Sequence, residues 1–178
     1  MNFKEGVTML KKFFAVLVVF ILLTIVSSTV YSYTVVSGDV SGQTWSAGTY
    51  FVTGNITVSD NTTLTIDAGA VVKFATYIQF TVYGTLDANG TETSKIVFTS
   101  KNDDTYGETI TGSNGNPSNG DWYGIFLDGQ SASGIGKFSW CIIRYGGYGY
   151  YGYYGNVNFY YSDSGHFINS ISEYSGQH

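Results

Sequence analysis

The segment Gly136-Lys137-Phe138-Ser139-Trp140-Cys141-Ile142-Ile143-Arg144-Tyr145-Gly146-Gly147 aligns without gaps to Gly165-His166-Phe167-Ile168-Asn169-Ser170-Ile171-Ser172-Glu173-Tyr174-Ser175-Gly176, with five of twelve positions identical. An earlier pair is looser. Thr63-Leu64-Thr65-Ile66-Asp67-Ala68-Gly69 resembles Thr85-Leu86-Asp87-Ala88-Asn89-Gly90 some 20–22 residues on, while Phe74 returns as Phe98 and Val58 as Val82, each 24 residues later. Such periods mark units that cannot bury a hydrophobic face alone and must stack on their neighbours. Within the units, apolar residues alternate over short runs: Ile56/Val58, Leu64/Ile66, Phe80/Val82, Phe138/Trp140/Ile142 and Val157/Phe159/Tyr161. Alternation sends one set of side chains inward and the other to solvent. Strands this short, laid flat, have no second layer to cover them. Coiling gives each turn a tube to fill and a neighbour to pair with. The expected fold is therefore all-β, a parallel β-helix over residues 33–178.

Composition agrees. Glycine is frequent (23), proline nearly absent (1), and Thr, Val, Ile, Tyr and Phe outnumber the strong helix formers, a mix that favours strands joined by Gly, Asn, Ser and Asp turns. No amphipathic helix of useful length follows residue 33. The competing all-β architecture is a sandwich or jelly roll, which needs hairpin signals at regular spacing. Asn89-Gly90 and Asn119-Gly120 qualify in isolation, without clear strands on both sides. Asp67 and Asp87 read as equivalent turn positions, where Asx side chains bond nearby backbone N–H groups.

Residues 1–32 read as a signal peptide. Lys11-Lys12 precede an apolar run from Phe13 to Val26, short for a membrane span and suited to a signal h-region. Val30-Tyr31-Ser32 suits cleavage after Ser32, with Ser28 as an alternative and an uncleaved anchor as the competing reading. The expected location is secreted or cell-surface, with no membrane contact beyond the leader. Beyond residue 32 the chain keeps five basic and twelve acidic residues. No basic stripe exists to meet phosphates, so a nucleic-acid partner is not expected. The single cysteine, Cys141, can form no internal disulfide, and its apolar neighbours predict a buried thiol.

The motifs Ile56-Thr57-Val58, Thr63 to Phe74 (TLTIDAGAVVKF), Val82-Tyr83-Gly84-Thr85-Leu86, Ile96-Val97-Phe98-Thr99-Ser100 and Gly120-Asp121-Trp122-Tyr123-Gly124-Ile125-Phe126 follow one another in order. From Gly48 to Tyr145 the chain resembles the N-terminal coils of pectate-lyase-like, right-handed parallel β-helix surface proteins. The resemblance implies the fold and an exported setting. It says little of function, since one scaffold serves many uses. It also implies more coils than are present: the chain stops at His178, straight after a repeat-like unit and without a cap, so a C-terminally truncated β-helix is expected.

Enzymes on such scaffolds use clustered aspartates, or acidic Ca²⁺ ligands with a basic proton acceptor. Asp103-Asp104 is the one adjacent acidic pair, Gly165-His166 a faint echo of a His-bearing turn, and Lys137 and Arg144 the basic candidates of the second half. No complete catalytic motif assembles from them, so no catalytic residue is assigned and the balance leans away from an enzyme. Asp103, Asp104 and Glu108 lie in a long polar loop, Lys101 to Asp121. Hard oxygens on a flexible loop suit Ca²⁺, though here without the ordered spacing of a calcium loop. Apart from that candidate ion, no cofactor is expected. A loop of this length is either functional or mobile. The tract Tyr145 to Gly155 holds only tyrosine and glycine. Its Tyr148, Tyr150, Tyr151, Tyr153 and Tyr154 form a candidate carbohydrate surface, since aromatic faces stack on sugar rings and phenols hydrogen-bond; an aromatic turn or an adhesive low-complexity patch is the alternative. The sequons at Asn55, Asn61 and Asn89 matter only where exported proteins are glycosylated. Three functions remain open: an exported non-enzymatic module binding polysaccharide or cell-surface glycan, the first part of a polysaccharide lyase or hydrolase, and a structural cell-envelope repeat. Oligomeric state is not legible.

Overall fold

A computed structural model describes residues 4–6, 11–12, 32–130, 132–149, 155–162 and 165–176. The chain divides into two units, Met1–Val30 and Tyr31–His178. In the first, residues 4–6 and 11–12 are helical, and the apolar run expected as a signal h-region lies outside the described residues. Among the described residues, no helix is long and apolar enough to cross a membrane.

Among its described residues the second unit has fourteen strands, and every pair among them is parallel. The first coil contains β1 (Tyr33–Asp39) and β2 (Thr44–Trp45), and the second β3 (Gly48–Val58) and β4 (Thr63–Asp67). The third contains β5 (Ala70–Phe74), β6 (Gln79–Val82) and β7 (Thr85–Asn89); the fourth β8 (Ile96–Ser100), β9 (Gly124–Asp128) and β10 (Ile135–Ser139). The fifth contains β11 (Cys141–Arg144), β12 (Val157–Tyr160) and β13 (Gly165–Ile168), after which β14 (Ile171–Glu173) begins another. Strand β3 bends: residues 48–52 pair with β5 and residues 56–58 with β6. Three faces result. One runs β3-β5-β8-β11-β14, a second β3-β6-β9-β12, and a third β2-β4-β7-β10-β13. This is the expected parallel β-helix. The sandwich alternative is excluded, because Asn89-Gly90 turns a corner toward β8 instead of reversing into an antiparallel partner.

Inward residues stack coil on coil. Ile56, Phe80 and Ile125 form one column of the second face, and Val58, Val82 and Leu127 the next. All six are fully buried. On the third face Leu64 sits over Leu86, and Ile66 over Ala88 and Phe138. Where Gly136 follows Leu86, the rings and methyls of Phe138 and Leu127 occupy the space a Cβ would need. Gly84 serves a different purpose: a Cβ there would lie 2.3 Å from the carbonyl of Thr62 and 2.4 Å from that of Ser59, so the corner closes only on glycine.

The 29-residue repeat is reproduced as strand register: Gly136 pairs with Gly165, Phe138 with Phe167, and Ile142 with Ile171. Val58 and Val82 also pair as expected. Two sequence matches slip by two residues. Phe98 pairs with Val72, not Phe74, and Asp67 pairs with Asn89 while Asp87 pairs with Thr65, so the two aspartates are not equivalent. A two-residue slip keeps every side chain on its face, which is why alternation alone could not reveal it. The alternation expected through Phe138, Trp140 and Ile142 also fails. Trp140 adopts φ 52°, as does Asn169 at 50° one coil later, and this single left-handed residue turns the corner between faces. Beyond it Cys141 and Ile143 point inward, while Ile142 joins Val71 and Val97 in an outer cluster. Cys141 is buried as expected, and that burial pushes its thiol up to about 12.

Leu86 has no exposed surface and packs within the main column. Leu86→Ala is expected to cost about 2–5 kcal/mol through lost transfer energy and the cavity left behind. Urea unfolding followed by far-UV circular dichroism measures it; a loss below about 1 kcal/mol would contradict the column.

Candidate functional site

Long connections interrupt the coils at one corner, between the first and second faces. In the third coil that corner is residues 75–78. In the fourth it is the insertion 101–123, and in the fifth the segment 145–156. The described parts of the two insertions meet at this corner, where Tyr148 N–H donates to Trp122 O.

The first insertion was expected to be functional or mobile. It folds back over the outer side of the first face as a bonded cover. Tyr106 packs on Val71, Val97 and Ile142, and Glu108 donates its backbone N–H to Thr49 Oγ1 at 2.9 Å. The Lys73 ammonium donates to the carbonyl of Glu108 at 2.7 Å. All five residues of β5 and of β8 are consequently buried, on inner and outer sides alike.

Beneath this cover runs a line of polar side chains. Lys73 pairs laterally with Thr99, and both are fully buried. Asp103, 1% exposed, accepts from Thr99 Oγ1 at 2.6 Å and from the Thr105 N–H at 3.1 Å. Arg144, one coil on, lies with its Nε 3.7 Å from Asp103 Oδ2 and 3.4 Å from Glu173 Oε1. That Nε makes no hydrogen bond and is held by charge alone. Its guanidinium lies 4.6 Å from the ring of Tyr145, 4.9 Å from that of Tyr174 and 5.5 Å from that of Tyr106, and it donates to the Tyr145 hydroxyl at 2.8 Å. Burial opposes its charge, but Asp103, Tyr145 and Glu173 outweigh that cost and raise its pKa. Lys73 behaves in the opposite way. Burial pushes its ammonium below the ordinary lysine value, although Asp104, Asp103 and Glu108 pull it upward.

The three loop residues considered as Ca²⁺ ligands therefore serve separate tasks. Asp103 is turned inward to Thr99 and Arg144, Asp104 accepts from Ser113 Oγ at 2.9 Å, and Glu108 is engaged through its backbone. Among the described residues no group of three His, Cys, Asp or Glu side chains comes together to hold a metal ion. The other cations of interest are also placed. Lys137 lies on β10, beside Asp87 and His166 in neighbouring strands, far around the tube from this cover. Arg144, the other basic candidate, is 8% exposed and lies beneath the loop beside Asp103.

The corner itself carries an aromatic cluster. A backbone ladder aligns it: Tyr77 N–H donates to Asp121 O, Tyr123 N–H to Ile78 O, and Tyr148 N–H to Trp122 O, at 2.9, 2.9 and 3.1 Å. Trp122 points into the tube, where it stacks on Phe74 at 4.0 Å and donates Nε1–H to Arg144 O at 3.0 Å. Its neighbour Tyr123 points out. Tyr77, Tyr123 and Tyr148 then meet in a triangle with centroid separations of 4.5, 5.5 and 6.2 Å. Tyr77 is 52% exposed and Tyr148 42%. The glycine-tyrosine segment is closed at its base, where Gly146 N–H donates to Asn156 Oδ1 at 2.7 Å and Asn156 Nδ2 reaches the carbonyls of Ile143 and Glu173. Of the tyrosines expected to form a surface, Tyr148 belongs to this cluster; Tyr150, Tyr151, Tyr153 and Tyr154 lie outside the described residues. Sequence reasoning missed Tyr77 and Tyr123. The available signal was position, since both lie within two residues of the start of a second-face strand on successive coils.

Parallel strands on three faces, with the longest connections at one corner, define the class: a parallel β-helix. A family model for the pectate-lyase-like beta helix domain matches residues 38–160, and the chain belongs to that family. No curated protein and no solved structure gives a significant match.

Two measurements test the polar line. Asp103→Ala leaves Arg144 buried beside only a half-exposed Glu173, so a loss on the order of 3 kcal/mol is expected, with faster amide exchange across residues 101–121. An unchanged exchange pattern would show that the cover is held elsewhere. For Lys73, the folded state holds the proton less tightly than the unfolded chain, so this group destabilises the fold at neutral pH. Its contribution to stability rises as pH climbs through the folded pKa toward 10.5. A ¹³Cε NMR titration should find Lys73 deprotonating below 10.5; a midpoint at or above that value would contradict its burial.

Proposed function

We propose that this chain is an exported, non-enzymatic β-helix module that presents a carbohydrate-binding surface. The observation that carries the reading is the cluster of Tyr77, Tyr123 and Tyr148, held half-exposed at one corner by a backbone ladder. Aromatic faces bind the C–H faces of sugars, and each phenol adds a donor and an acceptor. Rings already fixed by the scaffold lose little freedom on binding. Tyr150, Tyr151, Tyr153 and Tyr154 belong to the same sequence tract as Tyr148. The charged leader with its apolar run supports export to the medium or the cell surface.

The acidic pair is better explained as part of the cover than as a catalytic dyad. Asp103 is sealed from solvent by its own loop and committed to Thr99, Thr105 and Arg144. Of the loop carboxylates, Asp103 is paired with the chain's own Arg144 and Asp104 accepts from Ser113. Glycan-array binding of the purified full chain tests the reading. Replacing Tyr77, Tyr123 and Tyr148 with Ala is expected to weaken binding at least about tenfold, or 1.4 kcal/mol, with the thermal midpoint kept and EDTA without effect. Equal binding by both proteins would remove the cluster from the site, and EDTA-sensitive binding would restore Ca²⁺ to it.

A further inference from the structure

We infer that the tyrosine corner receives one neutral pyranose at a time, the terminal or side-branch unit of a soluble glycan, and not the flat face of a crystalline polysaccharide. This rests on the carbohydrate-binding reading above and specifies its ligand.

The geometry of the rings carries the first half. A flat polymer surface is bound by coplanar rings set out in a row. Here Tyr77 and Tyr148 are inclined at 55°, Tyr123 and Tyr148 at 72°, and Tyr77 and Tyr123 at 48°. No plane can lie flat against two of them, still less three. Their spacing also opposes a row. Tyr77 and Tyr148 come from corners two coils apart, roughly 9–10 Å along the tube axis for ladders of ordinary spacing. Their rings nevertheless converge to 4.5 Å. The side chains have folded toward each other, closing what could have been a track into a compact knob. Such a knob offers one exposed ring face with the neighbouring ring edges standing beside it. That shape matches a single saturated six-membered ring, whose C–H face stacks while its hydroxyls meet the flanking phenols.

Charge carries the second half. An acidic sugar needs a cation at its carboxylate. Five cations follow the leader. Lys73 and Arg144 are buried beneath the cover, Lys95 lies over Trp140 at 5.8 Å, and Lys137 is on the third face. Only Lys101 belongs to the corner insertion, which also carries Asp103, Asp104, Glu108 and Asp121. The corner is net acidic and disfavours uronates and sulfated sugars.

The test uses the full chain on an array of soluble glycans with neutral or uronate termini, together with pull-down by microcrystalline cellulose and chitin. The expected hits display neutral terminal or branching pyranoses. Neither insoluble polymer retains the protein, and Tyr77→Ala reduces the array signal at least tenfold. Tyr148→Ala provides the same readout should Tyr77→Ala fail to fold. Retention on cellulose or chitin, or hits confined to uronate termini, overturns this inference and leaves carbohydrate binding standing. No signal on any glycan or polymer overturns both.

Discussion

The parallel ladder between coils is the interaction on which everything else depends. No strand of the domain exceeds a few residues on any one face, and none could hold a hydrophobic side alone. Each inward residue is covered from above and below by the residue in register on the next coil, as Phe80 is by Ile56 and Ile125. Register and core are thus the same fact. A corner that misplaced one residue would send a whole strand's apolar set to solvent. The left-handed corners therefore recur in step: Trp140 with Asn169, and Tyr145 with Tyr174. Tyrosine and tryptophan are costly at such angles. Tyr145 and Tyr174 are held there by stacking across coils, at 5.1 Å and 11°.

With the faces committed to pairing, variation is confined to corners, and one corner has taken nearly all of it. The insertion of the fourth coil pairs its backbone with both neighbouring coils, at Tyr77, Ile78 and Tyr148. That arrangement accounts for the buried charges. A cover over the first face desolvates whatever points outward from β5, β8 and β11. Lys73, Thr99 and Arg144 point there, and Asp103 is supplied by the cover itself. Isolated, any of these charges would be prohibitive to bury. As a network the line fixes where the cover sits, while the apolar contact of Tyr106 with Val71, Val97 and Ile142 supplies its adhesion.

The coil architecture was legible because short alternation and a period near 25 residues admit few solutions. The gapless match from Gly136 to Gly176 was legible as register, since no insertion separates its two strands from their corner. Phe74 and Phe98 misled because identity was matched where corner length decides pairing. The partners of the acidic loop were hidden for a related reason. Lys73 and Arg144 are 30 residues upstream and 41 downstream of Asp103, on coils whose adjacency only register reveals. The tyrosine-glycine tract advertised Tyr148 by composition, but its cluster needs Tyr77 and Tyr123, which only their place before successive second-face strands sets apart.

The same reasoning bears on where a binding site can arise in a domain of this kind. A face is a poor place when a cover lies on it, because the outward residues are consumed in holding that cover. The corner has the reverse property. Its backbone is already paired through the ladder at Tyr77, Tyr123 and Tyr148, so its side chains owe nothing to the core. Trp122 turns inward and anchors the segment between Phe74 and the Arg144 carbonyl. The alternation that fills the tube with one residue thereby exposes the next. Tyr123 stands out because Trp122 is buried, and a rigid aromatic surface follows from the same period that builds the core.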